Sequence, residues 1–134
     1  MAIYEDSKRV CARAICFIND KVILMKRHRE VGQPLGDYYV IPGGGVEEGE
    51  EKEVAAIREL DEETCVKAEI LEFLEREDYG TGISNAVYYV SVKDALMLHG
   101  DTSTQILTVN DVHMIFGNNK VRKTMNKKDE QNHF

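Results

Sequence analysis

The chain has 134 residues, a length at which one domain is the default. Hydrophobic residues make up 43% and charged residues 31%, which excludes a wholly disordered chain and a collagen-like repeat. The net charge of −7 argues against a nucleic-acid partner, because such proteins carry a basic footprint.

A small phosphorylated substrate stays compatible with this charge if a cation sits between the two sets of anions. Met1 to Arg9 holds two acids and no apolar run, unlike a secretory signal. No stretch approaches the ~18 apolar residues of a membrane span, so no membrane association is expected. Cys11, Cys16 and Cys65 are few, odd in number and lack C-x-x-C spacing. They read as reduced thiols of a cytoplasmic protein, with Cys11 and Cys16 as small buried hydrophobes.

The stretch Arg9 to Ile18 predicts a strand. Val10, Ala12, Ala14, Cys16 and Ile18 share one of its faces, and Arg13 lies on the other. Asn19-Asp20 reads as a turn and Lys21 to Lys26 as a second strand, together a hairpin. Arg27 to Asp37 is charged, contains Gly32, Pro34 and Gly36, and reads as a loop. Tyr38 to Ile41 is a short strand stopped by Pro42. Gly43-Gly44-Gly45 is expected to let the backbone turn sharply. A helix follows from Glu50 or Glu51 to Thr64, free of internal Gly and Pro, with acids in its first turn. Its Val54, Ile57 and Leu60 are expected to form one buried stripe. Ala68 to Leu74 and Asn85 to Val92 are further strands, joined through Glu75 to Ser84. Gln105 to Phe116 suits one or two more. The order predicts a mixed α/β or α+β domain over residues 1–117. The polar, basic segment 118–134 reads as a flexible tail.

On the helix, Glu59, Glu62 and Glu63 stand at i, i+3 and i+4, so they share a face. Helical spacing alone is explained by a solvated acidic surface. The surroundings favour a hard-cation site instead. Residues 47–63 hold nine acids against two bases, a surplus equal to that of the whole chain. Gly44, Glu50, Arg58, Glu59, Leu60, Glu62, Glu63 and Val66 resemble the Nudix box, Gly-x5-Glu-x7-Arg-Glu-U-x-Glu-Glu-x-Gly-U, where U is aliphatic. Eight of nine specified places fit, and Cys65 stands where the family has Gly. The six fixed polar or Gly identities, at roughly 0.07 each, coincide by chance about once in 10⁷ starting points. The similarity extends from about Arg9 to Val92.

This resemblance implies an α/β/α sandwich with a mixed β-sheet and a loop-helix-loop. It implies a hydrolase acting on a nucleoside diphosphate linked to another group, with Mg²⁺ or Mn²⁺ as cofactor. Glu62 and Glu63 match the principal metal carboxylates, Glu59 a further ligand or the general base, and Gly43 a carbonyl ligand. Glu50 and Arg58 match the pair that sets the loop on the helix and neutralises part of the cluster; Gly44 belongs to the same framework. Cys65 then either keeps the left-handed geometry of the family Gly at about 1–2 kcal/mol, or the helix ends another way.

Arg13, Arg27 and Arg29 are candidates to hold phosphate, and Tyr38, Tyr39 or Tyr79 to stack on a base. Each is equally read as a surface charge or core aromatic. The Pro mark of the ADP-ribose subgroup is missing, since no Pro follows Pro42. The dinucleoside polyphosphate mark fails too, as Tyr79 is too early and Tyr88 too late. A nucleoside triphosphate is left by elimination. Asp129 and Glu130 match an extra acidic ligand or base, with Glu77 and Asp101 as rivals. The family's C-terminal helix has no counterpart in the pattern after Phe116. Either a second copy completes the sheet, as a homodimer, or it is left short. The alternative to catalysis is a Nudix-fold module that binds nucleotide without turnover.

Overall fold

The alternation of small apolar residues from Lys8 does build a strand, but it breaks at Cys16, and its two parts enter different sheets. The computed structural model describes residues 2–5, 7–19, 21–28, 37–77, 82–96, 98 and 104–108. In chain order these form β1 (Tyr4–Glu5), β2 (Lys8–Ile15), β3 (Phe17–Ile18), β4 (Lys21–His28) and β5 (Asp37–Val40). Then come β6 (Gly43–Gly45), α1 (Lys52–Thr64), β7 (Lys67–Glu77), β8 (Ile83–Asp94) and β9 (Thr104–Thr108).

The first sheet runs β1-β2-β8-β7. β2 and β8 are parallel from Arg9↔Ile83 to Ile15↔Tyr89, while β7 is antiparallel to β8. β6 lies antiparallel on β2, with Ala12 opposite Gly44. The second sheet is antiparallel: β4 carries β3 and β5, and also pairs β9 from Lys21↔Thr108 to Met25↔Thr104. Mixed and antiparallel strands, with one helix among the described residues, make this an α+β architecture, one of the two classes expected from the sequence.

Side chains alternate across a strand, so the two faces of β2 and β8 feed two cores. Val10, Ala12, Ala14, Ala86, Tyr88 and Val90 pack with Ala55, Ala56 and Leu60 of α1. Ile15, Val87 and Tyr89 pack with Phe17, Val22, Leu24 and Ile41. The rings of Phe17 and Tyr89 meet edge to face at 6.0 Å. Cys11 and Cys16 are buried as expected. Burial pushes the Cys16 thiol up to about 12, so it stays protonated at neutral pH.

Several expectations need correction. Val54 is 54% exposed, and the buried line of α1 is Ala56, Leu60 and Thr64 with Ala55 beside it. Arg27 and His28 extend β4 and are not loop. β7 and β8 run on to Glu77 and back to Ile83, shortening the connection between them. Gly43–Gly45 is a paired strand and not a sharp turn. The segment 118–134, and with it the question of a last strand and helix, lies outside the described residues.

Candidate active site

Closeness to the backbone of β2 requires glycine at Gly43, while at Gly44 and Gly45 a Cβ would meet the ends of side chains. None of the three glycines has a positive φ. A Cβ on Gly43 would stand 2.3 Å from the Ala12 carbonyl oxygen, and one on Gly45 would stand 2.7 Å from Arg9 Nη2. On Gly44 it would stand 2.6 Å from the Glu59 carboxyl carbon. Without side chains on β6, the Glu59 carboxylate and the Arg9 guanidinium can close against the strand. The turn that follows is made by Gly49 at φ 80, a conformation that favours glycine. It returns Glu50, whose Oε1 accepts from the Glu47 amide at 3.1 Å.

Arg58 links the acids of the box. Its Nε donates to Glu50 Oε2 at 2.7 Å and its Nη2 to Glu50 Oε1 at 2.9 Å, a bidentate pair. Nη1 donates to Glu59 Oε1 at 3.1 Å and to Glu62 Oε2 at 3.2 Å. Nη2 also reaches the Gly45 carbonyl at 3.2 Å. Side-chain exposure ranks these contacts: Glu50 is 13% exposed and Glu59 17%, but Glu62 is 59%. The Glu50 pair is the strong one, and the Glu62 contact is screened by water and worth little. The guanidinium of Arg58 holds the Glu50 carboxyl below the ordinary carboxylate range, aided by the Glu47 amide and opposed by partial burial. Reciprocally, the Glu50 hydrogen bond pushes the Arg58 pKa up.

Glu63 faces the glycine strand, where its Oε1 accepts from the Gly43 amide at 3.1 Å. The sequence motif thus comes together as a layer: Gly43 on Glu63, Gly44 on Glu59, and Arg58 among Glu50, Glu59 and Glu62. In this arrangement no three His, Cys, Asp or Glu side chains among the described residues converge closely enough to hold a metal ion. Arg58 donates to three of the carboxylates and holds them to itself. The donor chemistry nonetheless fits a hard cation. Carboxylates and glycine main-chain oxygens are what Mg²⁺ takes, and the missing Cβ of Gly44 lets the Glu59 carboxylate lie directly against the glycine strand.

Arg13 is placed as a structural tie. Its Nε donates to Asn85 Oδ1 at 2.8 Å and its Nη1 to the Ile41 carbonyl at 2.9 Å, joining β2, β8 and the end of β5. Tyr39 packs against the second core. The side chains of Arg27, Tyr38 and Glu77 lie outside the described residues, as do Arg29, Tyr79, Asp101, Asp129 and Glu130 altogether. Cys65 keeps the left-handed backbone, at φ 60 and ψ 20, and its amide donates to the Asp61 carbonyl at 2.8 Å.

Sequence reasoning missed three contributors. Asn85 is buried at 3% exposure, and an Asn inside a strand is itself a signal, since strands disfavour it. Tyr88 donates its hydroxyl to Glu53 at 3.1 Å, joining the first sheet to the start of α1. Burial first, then the Glu53 carboxylate, raises the Tyr88 pKa. Thr104 reaches the Glu63 main chain from β9, which nothing in its own sequence neighbourhood announces.

A family model described as NUDIX domain matches residues 8–125. An ADP-sugar pyrophosphatase of Mus musculus is 41% identical over 70 residues, 52% of this chain and 31% of that relative. The matched part thus spans under a third of the relative's length. Among solved structures, a NUDIX hydrolase from Nitrosomonas europaea superposes with a TM-score of 0.71 at 20% identity, covering 96% of this chain and 75% of the other. The E. coli ORF135 protein gives 0.66 at 19% identity, with 93% and 94% covered. An ADP-ribose pyrophosphatase from Streptococcus suis gives 0.66 at 14%, with 93% of each chain covered. At these identities the structures establish the fold.

Proposed function

The chain belongs to the NUDIX domain family, and from that premise we propose that it is a pyrophosphohydrolase of a nucleoside diphosphate linked to another group. The observation that carries this reading is the Arg58-centred carboxylate layer beneath a side-chain-free strand. Glu62 and Glu63, with a main-chain oxygen of the glycine strand, would hold Mg²⁺ or Mn²⁺. Such a cation, when bound, neutralises phosphate charge and polarises the phosphoryl oxygens. Glu50 fixes Arg58, and Arg58 balances the acids in the cation's absence. Glu59, mostly buried, is either a further ligand or the group that takes a proton from attacking water.

A nucleoside triphosphate remains the substrate reading that elimination supports. A second reading, an ADP-sugar, is favoured by the 41% identity to the ADP-sugar pyrophosphatase of Mus musculus. A reducing, cytoplasmic setting agrees with the free cysteines. Among the described residues no helix is long and apolar enough to cross a membrane.

The test is the formation of mononucleotide products, with Mg²⁺, from nucleoside triphosphates (with pyrophosphate), ADP-ribose and other ADP-sugars (with a sugar phosphate), and dinucleoside polyphosphates (with a second nucleotide). Glu59→Gln is expected to lower turnover on the preferred substrate by about 100-fold or more, and Glu62→Gln and Glu63→Gln to reduce it as well. Turnover unchanged in the last two variants refutes their assignment. Nucleotide binding without turnover in the wild type selects the binding-module alternative.

A further inference from the structure

The last four carbonyls of a helix have no partner within it. In α1, the Asp61 carbonyl is taken by the Cys65 amide at 2.8 Å. The Glu63 carbonyl is taken from a distant part of the chain: Thr104 Oγ1, at the start of β9, donates to it at 3.3 Å. The same hydroxyl lies 3.7 Å from Met25 Sδ, on the paired position of β4. It has one proton, and a carbonyl oxygen is a better acceptor than a thioether. The proton therefore goes to Glu63.

The position of this contact gives it meaning. α1 packs on β2, β6, β7 and β8, all in the first sheet. Thr104 belongs to the second sheet. Glu63 is thus held both at its carboxylate, by the Gly43 amide at 3.1 Å, and at its carbonyl, by Thr104. The helix end just after Glu63 is strained, because Cys65 sits at φ 60 without being glycine. We propose that Thr104 is a positioning residue, whose hydroxyl anchors the last turn of α1 to the second sheet and so fixes the direction of the Glu63 carboxylate. The proposal rests on the cation-holding role given to Glu63 above.

The test uses the full chain with Mn²⁺ alone, without nucleotide, counting free ion by electron paramagnetic resonance. The Mg²⁺ dependence of hydrolysis and the thermal midpoint are read alongside. Thr104→Val removes the hydroxyl but keeps the branched shape, and Thr104→Ser keeps the hydroxyl. Thr104→Val is expected to weaken Mn²⁺ binding about fivefold, the scale of one neutral hydrogen bond, and Thr104→Ser to restore it. Glu63→Gln separates the two layers of the argument. If it loses Mn²⁺ binding while Thr104→Val binds as the wild type does, the Thr104 proposal is overturned and the reading of Glu63 stands. If Glu63→Gln binds like wild type, that reading falls and takes the proposal with it. Equal weakening in the Val and Ser variants means packing alone and overturns the proposal. Should Thr104→Val fail to fold, Thr104→Ala takes its place: Mn²⁺ binding weaker than in Thr104→Ser supports the proposal, and wild-type binding overturns it.

Discussion

Cys65 shows what one side chain costs. The family pattern has Gly there, and the backbone keeps the glycine conformation at φ 60. A left-handed residue with a Cβ costs about 1–2 kcal/mol. The geometry persists because both sides of it are fixed. Leu60 and Val66, before and after, are fully buried, and Thr64 braces the join by donating to the Leu60 carbonyl at 2.6 Å and accepting from the Val66 amide at 3.3 Å. Straightening the chain at Cys65 would pull Val66 out of the core. Cys65→Gly should therefore stabilise the protein. Part of the gain is offset by the larger unfolded-state freedom of Gly, roughly 0.5–1 kcal/mol. A net increase of about 1 kcal/mol is expected in urea unfolding, or about 3 °C in the thermal midpoint. A lower midpoint in the variant would show that the thiol makes contacts that outweigh the strain.

At the scale of elements, α1 lies close to its sheet because the facing residues are small. Ala55 and Ala56 meet Ala12, Ala14 and Ala86 in one cluster. That closeness is what puts Glu59 against Gly44. Ala56→Leu should overfill the interface, costing about 1–3 kcal/mol and lifting the helix from β6. The check is paired: a lower urea midpoint together with lost cation binding, whereas lost stability with full binding would mean that the helix tilts without moving its acids. The helix and the site on it were readable from the chain because fixed identities at fixed spacing carry them. The stripe was misread for a geometric reason. At 3.6 residues per turn, Val54 and Leu60 lie about 120° apart around the axis, while the four-residue steps Ala56, Leu60 and Thr64 drift only about 40° each. The glycine strand was misread as a turn because composition shows permissive residues but cannot show the neighbours that a Cβ would strike. The Thr104 contact spans 41 positions, beyond the reach of any local pattern.

In the whole molecule, two sheets are joined where the chain leaves β2 at Cys16, a break that the unbroken alternation from Val10 to Ile18 concealed. The charge of −7 makes acid behaviour a test of how the fold is held. Lowering the pH lessens the net negative charge of the chain and its self-repulsion, which favours folding. It also protonates Glu50, which opposes folding. The folded-state pKa of Glu50 lies below the ordinary 4.5, first because Arg58 donates to it. A depressed carboxylate contributes fully above its unfolded value, and the contribution is lost as pH falls through the folded one. Glu50→Gln removes this contribution at every pH and leaves the repulsion among the other acids in both proteins, where it cancels in the difference. The variant is thus expected to be less stable than wild type at pH 7, with a gap that narrows steadily below pH 4.5 as the wild type loses the same ion pair. Urea midpoints of both proteins between pH 7 and pH 3 measure the gap. A gap that stays constant with pH would mean that Glu50 acts through shape and neutral hydrogen bonding, and that its charge on Arg58 does not hold the loop to the helix.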